Sequence, residues 1–545
     1  MNSIKTVLLA LFILIGLQKN LAQSADPLTY IPKQAQNVYV FNMPSIISKM
    51  DVNALKNLDF VKEIMDKANN PKIQSYLHNP AESGINILKP ITFVISDIDT
   101  TDYQSLAVIL SLSNSAKLNT VLTSSGLTIT QKNGLSQVAS DTTLLVWNEQ
   151  MFVVMSLKKK KDGMSALMAL KDSTAEMPKP PVLDPSVYFQ NSEVNARAEA
   201  LRGLMRTPHD IYIYQTTDGT GKSMRGMMAS MMFGLQPTDL DGNVTTGWAD
   251  FENGRIYGES AQKMNEAMSK KFSSIGRAKP SVNWNEYINT NGNKNPAFMM
   301  SFSLNPLGLK DMLSENEMLK QGVNQATAKS NKKFSMDKIL TTFGGDVFAT
   351  MSVSDKDMDY LVGLSLADKK GAEKMLKEEL KLKKVSKNLY AFEPKKTEPT
   401  EGGMTAVPKI KSKMLVLIKD NVALIGKESQ IMALKTAPKL SGLTTETTDW
   451  QKSLKNKPMN MFFDFKTLTS SFPAAQDKLG EIPFESISMS MFNRITSFEI
   501  KMLDKDKNAL TTFFTFMDKI IKDKKEKANQ PKTLPRPTEK EDDGN

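Results

Sequence analysis

The chain repeats itself, and a chain made by copying one unit has to reach the same fold twice. "MALK" stands at 168–171 and again at 432–435, and the surrounding sequence repeats with it. "LLVWNEQMFVVM" (144–155) is matched by "MLVLIKDNVALIG" (414–426). Each is an apolar run, a polar turn and a second apolar run, the pattern of a β-hairpin. "FVISDIDTTDYQSLAVILSLS" (93–113) is matched in turn by "FATMSVSDKDMDYLVGLSLAD" (348–368). Self-similarity of this kind predicts a tandem duplication.

Four segments share a finer pattern of alternating strand, polar turn and helix-spaced residues. They are "NVYVFNMPSIISKM" from Asn37, "DIYIYQTTDGTGKSM" from Asp210, "AFMMSFSLNPLGLKDM" from Ala297 and "MNMFFDFKTLTSSF" from Met459. Each half is therefore expected to hold two related starts. In "DYLVGLSLADKKGAEKMLKEELKLKKV" (359–385) a strand ends at Ala367, Asp368 can cap a helix, and apolar residues recur at helical intervals. The expected fold class is α+β: a tandem duplication of units with mostly antiparallel sheets and helices packed on one face. The expected divisions are a signal segment at 1–23, a first copy at 24–280 (split near 180), a joint at 281–296, a second copy at 297–523 (split near 445), and a disordered charged tail at 524–545. The joint is rich in Asn and Gly. "EPKKTEPTEGGMTAVPKIKSK" (393–413) is a polar insertion that the first copy lacks.

The opening residues name a destination. Lys5 supplies a positive start, "VLLALFILIGL" (7–17) an apolar centre, and "NLAQSA" (20–25) small residues for cleavage near Ala22 or Ala25. The apolar run is short of the ~20 residues of a spanning helix, so export is expected rather than an uncleaved anchor, with no membrane span in the mature chain. The chain has no cysteine, which excludes thiol catalysis, disulfides, cysteine zinc sites and a lipidated cysteine. Eight of its 70 basic residues are arginine, so the net charge of +11 is a lysine surface suited to acidic envelope components. Arginine, the usual reader of phosphates and bases, is scarce; no nucleic-acid partner is expected.

"LTYIPKQAQNVYVFNMPSIISKM" (28–50) resembles the opening of an uncharacterised family of exported proteins from Bacteroidetes-type bacteria, domain of unknown function 4836. Tyr30, Ile31, Pro32 and Lys33 fit the family's Tyr-Ile-Pro-polar start. The resemblance implies an envelope location, and it implies no catalytic residues because the family has none established. Family members often carry a lipidated cysteine, which is absent here.

The motifs that suggest chemistry read more simply as architecture. The GTGKS run (Gly219, Gly221, Lys222, Ser223) follows a strand, as a phosphate loop does, but Thr216 stands where that loop needs its first glycine. It is expected to be a strand-to-helix turn, so no nucleotide is assigned. Met224, Met227, Met228, Met231 and Met232 form one helical face that could hold Cu(I) or an apolar peptide. Core packing is the simpler reading, because methionine, 34 residues in all, is spread through the chain. Asp97, Asp99 and Asp102, their counterparts Asp355, Asp357 and Asp359, and "DLDGN" (239–243) could bind Ca²⁺, yet lack a full loop pattern and are read as turns. His78 and His209 are the two histidines; His209, beside Pro208, is expected at the surface. The Ser330–Lys333 and Ser335–Lys338 spacings are expected by chance among so many lysines. No catalytic, cofactor-binding or metal residue is assigned. The expected function is non-enzymatic binding or scaffolding of an envelope macromolecule, a protein or an acidic glycan or lipid surface, in the periplasm or at the cell surface of a Gram-negative bacterium. The alternative is a periplasmic glycan or peptide hydrolase with carboxylates in a cleft between the copies.

Overall fold

The computed structural model describes residues 26–50, 80–97, 103–140, 143–159, 181–189, 195–218, 235–288, 296–315, 336–354, 357–392, 413–436, 456–471 and 482–529, with isolated positions at 58, 59, 62, 321, 451 and 454. The signal segment, the first MALK, the inserted loop up to residue 412 and the tail beyond 529 lie outside the described residues.

The first ten strands are β1 (Asn37–Phe41), β2 (Ile91–Asp97), β3 (Tyr103–Ser111), β4 (Thr130–Lys132), β5 (Leu135–Ala139), β6 (Thr143–Trp147), β7 (Met151–Lys159), β8 (Ile211–Thr216), β9 (Val244–Glu252) and β10 (Arg255–Lys263). The next ten are β11 (Phe298–Ser303), β12 (Phe343–Ser354), β13 (Asp357–Leu366), β14 (Lys383–Ser386), β15 (Leu389–Ala391), β16 (Met414–Lys419), β17 (Val422–Lys427), β18 (Met459–Asp464), β19 (Phe484–Phe492) and β20 (Ile495–Met502). They form a single sheet in the order β4-β5-β6-β7-β3-β2-β1-β8-β9-β10-β20-β19-β18-β11-β12-β13-β17-β16-β15-β14, and every pairing is antiparallel. Each pairing within β1–β10 recurs, strand for strand, within β11–β20. The hairpins read from sequence at 144–155 and 414–426 are β6–β7 and β16–β17, and those at 93–113 and 348–368 are β2–β3 and β12–β13. The polar insertion falls between β15 and β16, whereas three residues separate β5 from β6.

The junction of the halves is the pairing of β10 with β20. Gly258, fourth in β10, lies opposite Phe498, fourth in β20. The two strands thus cross-pair at their fourth residues. A Cβ on Gly258 would stand 2.2 Å from the Trp248 carbonyl and 2.8 Å from the Phe498 ring, so only glycine admits this approach.

Alternate residues of a strand point to opposite faces, and here both faces are covered. On the first face, Val38, Val40, Ile109, Val153 and Tyr212 pack with Leu28, Tyr30 and helix residues Ala198 and Leu201. In the second half the same face packs Met299, Phe348, Leu361 and Leu415 with Trp284 and Tyr287. On the opposite face, Leu145, Trp147, Phe152 and Val154 pack with Met43, Ile46, Leu118 and Leu122. The helices involved are α1 (Met43–Lys49), α2 (Ser115–Ser124) and α3 (Ala196–Leu204), followed by α4 (Pro306–Glu315), α5 (Lys369–Lys374), α6 (Glu428–Thr436) and α7 (Ala509–Asn529). The expectation of helices on one face is thus corrected. All five residues of β6 are buried, and a strand apolar without alternation needs cover on both sides.

Two boundaries also shift. The Asn-rich joint is built into the second core at its start, with Trp284 fully buried and stacked on Phe348 at 5.3 Å. α7 runs to Asn529, past the expected onset of the tail, because Lys, Glu and Ala favour helix despite their polarity.

Candidate functional site

A concavity of about 230 Å³ lies on the first face at the junction of the halves. Its floor is made by β10, β20, β19 and β18, between the two apolar cores of that face. The cross-strand pairs Tyr257–Glu499, Glu259–Ser497, Ser488–Glu499 and Ser490–Asn460 put these side chains on one surface. Arg255 bonds Glu499 at 3.2 Å and lies over the Tyr257 ring at 4.7 Å. Ser497 donates to Glu259 at 3.1 Å, and Lys457 donates to Ser490 at 2.7 Å. Burial, then the carboxylates of Glu252 and Asp250, hold the Tyr257 phenol above its ordinary range. Asn460 is buried; its amide nitrogen reaches Ser301 and the Lys457 carbonyl, while its carbonyl oxygen has no partner among the described residues.

The charges in this groove balance: Arg255 and Lys457 against Glu259 and Glu499. Glu259 is exposed, and Glu499 is tied to Arg255 and to Lys501 at 3.6 Å. The Glu499 side chain, 18% exposed, is thus held between two cations. The groove offers hydroxyls, an amide, ion pairs and an aromatic edge, which suits recognition.

A second polar cluster stands beside it at the start of β8. Asp210, fully buried, accepts from Ser45 Oγ at 2.6 Å, Lys49 Nζ at 2.8 Å and the Phe251 N–H at 2.6 Å. Its own N–H donates to Asp250 at 2.9 Å, and Asp250 also holds His209 Nδ1 at 2.8 Å. The His209 ring stacks on Trp248 at 3.9 Å, and its backbone N–H donates to the Tyr212 hydroxyl. His209 is therefore not the surface residue expected of it: its side chain is 12% exposed. A carboxylate on the neighbouring strand β9 and an indole face outweigh the water it would otherwise see. This network ties α1 to β8 and β9, and its groups satisfy one another.

The residues singled out by sequence scatter. Asp359 pairs with Lys427 at 3.4 Å, and Asp357 opens β13. In the 239–243 run, the Asp239 side chain accepts from Gln236 N–H, and Asn243 and Asn265 bond the turn's carbonyls, closing it upon itself. Among the described residues no three His, Asp or Glu gather as a metal site. Lys338 reaches Glu379 at 3.3 Å. Gly219, Gly221, Lys222, Ser223, the five methionines from Met224 to Met232, His78, Asp99, Asp102, Asp355, Ser330, Lys333 and Ser335 lie outside the described residues. No described helix is long and apolar enough to cross a membrane.

No family model matches the chain, and no curated protein matches it. Among solved structures it is similar to crystal form I of TP0453, at 12% identity over 46% of this chain and 85% of that one, with a TM-score of 0.22. Crystal form IV of TP0453 gives 11% identity, 46% and 86% coverage, and a TM-score of 0.24. A likeness at that level carries no argument about fold or activity.

Proposed function

We propose that this chain is an exported, non-enzymatic binding protein of the bacterial envelope, built by duplicating one sheet-and-helix unit, and that it holds its partner in the groove where the two halves meet. The recurring strand pairings support the duplication. The start typical of an exported family and the signal-like opening support the envelope setting, periplasmic or at the cell surface. Tyr30 and Ile31, which carry that resemblance, are core residues at 4% and 3% exposure, which gives the opening a structural reason to be kept.

The observation that carries the binding reading is the groove's make-up: balanced charge, three serine hydroxyls and two carboxylates left solvated or ion-paired. Such a lining recognises a polar surface without transforming it. A photo-crosslinking side chain placed at Tyr257 or Ser497 should capture one discrete macromolecule in intact envelopes, while the same group at Lys132, on the far edge of the sheet, should not. The reading falls if neither position captures anything and the purified protein instead cleaves a glycan or peptide with rates that depend on Glu259 and Glu499.

A further inference from the structure

We propose that the outer end of the second half, formed by α5, the β14–β15 hairpin and the exposed side of α6, docks on an anionic lipid bilayer. This surface is separate from the groove, and the inference does not depend on that reading. Residues 369–387 carry eight lysines against three glutamates, an excess of five in a chain whose whole excess is eleven. Lys381, Lys383, Lys384 and Lys387 are all exposed, and none of them forms an ion pair among the described residues. Two of the three glutamates are already engaged, Glu378 by Lys374 at 3.9 Å and Glu379 by Lys338 at 3.3 Å.

Lysine on a free edge strand has an ordinary use, which is to prevent edge-to-edge pairing. The other end of the sheet shows how little that requires. The equivalent helix and hairpin of the first half, residues 115–135, carry Lys117 and Lys132 alone. The surplus on β14 is not demanded by the fold. It is also mixed with exposed apolar side chains: Val385 is 47% exposed and Met432, on α6, 39%. Lys435 Nζ donates to Ser386 Oγ at 2.8 Å and so holds this side of α6 against β14. Lysines around projecting apolar residues match a negatively charged headgroup layer over hydrocarbon; a soluble acidic polymer would use the lysines alone. Each lysine near such a surface contributes about a fivefold gain in partition.

The test is co-sedimentation of the full mature chain with vesicles of phosphatidylcholine, with and without about a third phosphatidylglycerol, at ~0.1 M salt, where charges still reach ~10 Å. Binding should require phosphatidylglycerol. Changing Lys381, Lys383, Lys384 and Lys387 together to Gln should weaken it by about a hundredfold or more. A control with the same charge change, Lys132→Gln, Lys263→Gln, Lys270→Gln and Lys279→Gln, should stay within about fivefold of wild type, the worth of one lysine at the surface. Val385→Ser should cost up to about tenfold through lost apolar insertion. Equal losses in both quadruple variants, or no loss in the first, would overturn the proposal. Equally tight binding to soluble polyglutamate, with Val385→Ser silent, would overturn it in favour of an acidic polymer.

Discussion

Removing the carboxylate of Asp210 should damage the first half more than any surface change of equal size. The side chain is fully buried and accepts three hydrogen bonds, from Ser45, Lys49 and the backbone of Phe251. In Asp210→Ala the Phe251 N–H is orphaned, at about 1–3 kcal/mol. Lys49, whose side chain is 32% exposed, can turn to water, so its lost pairing adds only about 1 kcal/mol. The Ser45 bond adds about 1 kcal/mol more. The total, about 3–5 kcal/mol, is what a buried pair costs when one member is removed. At about 2–4 °C per kcal/mol for a unit of this size, the melting temperature of the first half should fall by about 6–20 °C. Lys49→Met alone leaves a buried charge with two donors and should cost about 2 kcal/mol; the double variant should fall short of the sum by about 1–2 kcal/mol. Differential scanning calorimetry on the four proteins reads all of this. A fall below about 2 °C in Asp210→Ala, or strict additivity in the double variant, would refute the account.

Gly258→Ala should destabilise the junction by about 1–3 kcal/mol, because its Cβ would meet the Trp248 carbonyl at 2.2 Å and a backbone atom cannot swing aside; the melting temperature and limited proteolysis across β10 and β20 report it. Gly363→Ala should be similarly costly, since its Cβ would lie 2.5 Å from the buried Trp284 ring, and the loss should appear as a lower unfolding midpoint followed by tryptophan emission. Tyr287, pushed up to about 12 by burial and then by the Asp420 and Glu286 carboxylates, stays neutral in the fold above pH 10 while the unfolded chain ionises. Its contribution is therefore intact below about pH 10 and lost as pH rises toward 12, by up to about 2.7 kcal/mol; Tyr287→Phe should flatten the stability curve across that window.

Local pattern was enough for the hairpins β2–β3, β6–β7, β12–β13 and β16–β17, because in each two apolar runs lie a few polar residues apart in the sequence. The β9–β10 hairpin was not read from the sequence, although Asn253–Gly254 between its two strands is a turn signal. What could not be read is what depends on distance. Asp210 before a strand looks like an ordinary turn residue until Lys49 is brought to it from 161 positions away. His209 looks exposed until Asp250 and Trp248 arrive beside it. The groove has no local signature, because its floor joins β10 to strands more than 190 residues later, and edge pairing leaves no mark beyond a small residue such as Gly258.

The placement of the groove follows from how the sheet manages its edges. A single half, ending in β10, would present nine residues of unpaired backbone, a template for unwanted pairing. The outer ends avoid this with short strands carrying lysine, β4 and β14. β10 is long instead, and it is satisfied by pairing with β20, with Gly258 facing Phe498. Once the two edges join, the cores on the first face end at Tyr212 and Tyr214 on one side and at Met299 and Phe462 on the other. The strands between them keep polar side chains toward that face: Tyr257, Glu259, Ser497, Glu499, Ser488 and Ser490. Joining the halves thus creates a surface that neither half contains. A partner that recognises it requires both halves, so changes at Ser497 and at Tyr257, which lie on different halves, should weaken capture together and to a similar degree.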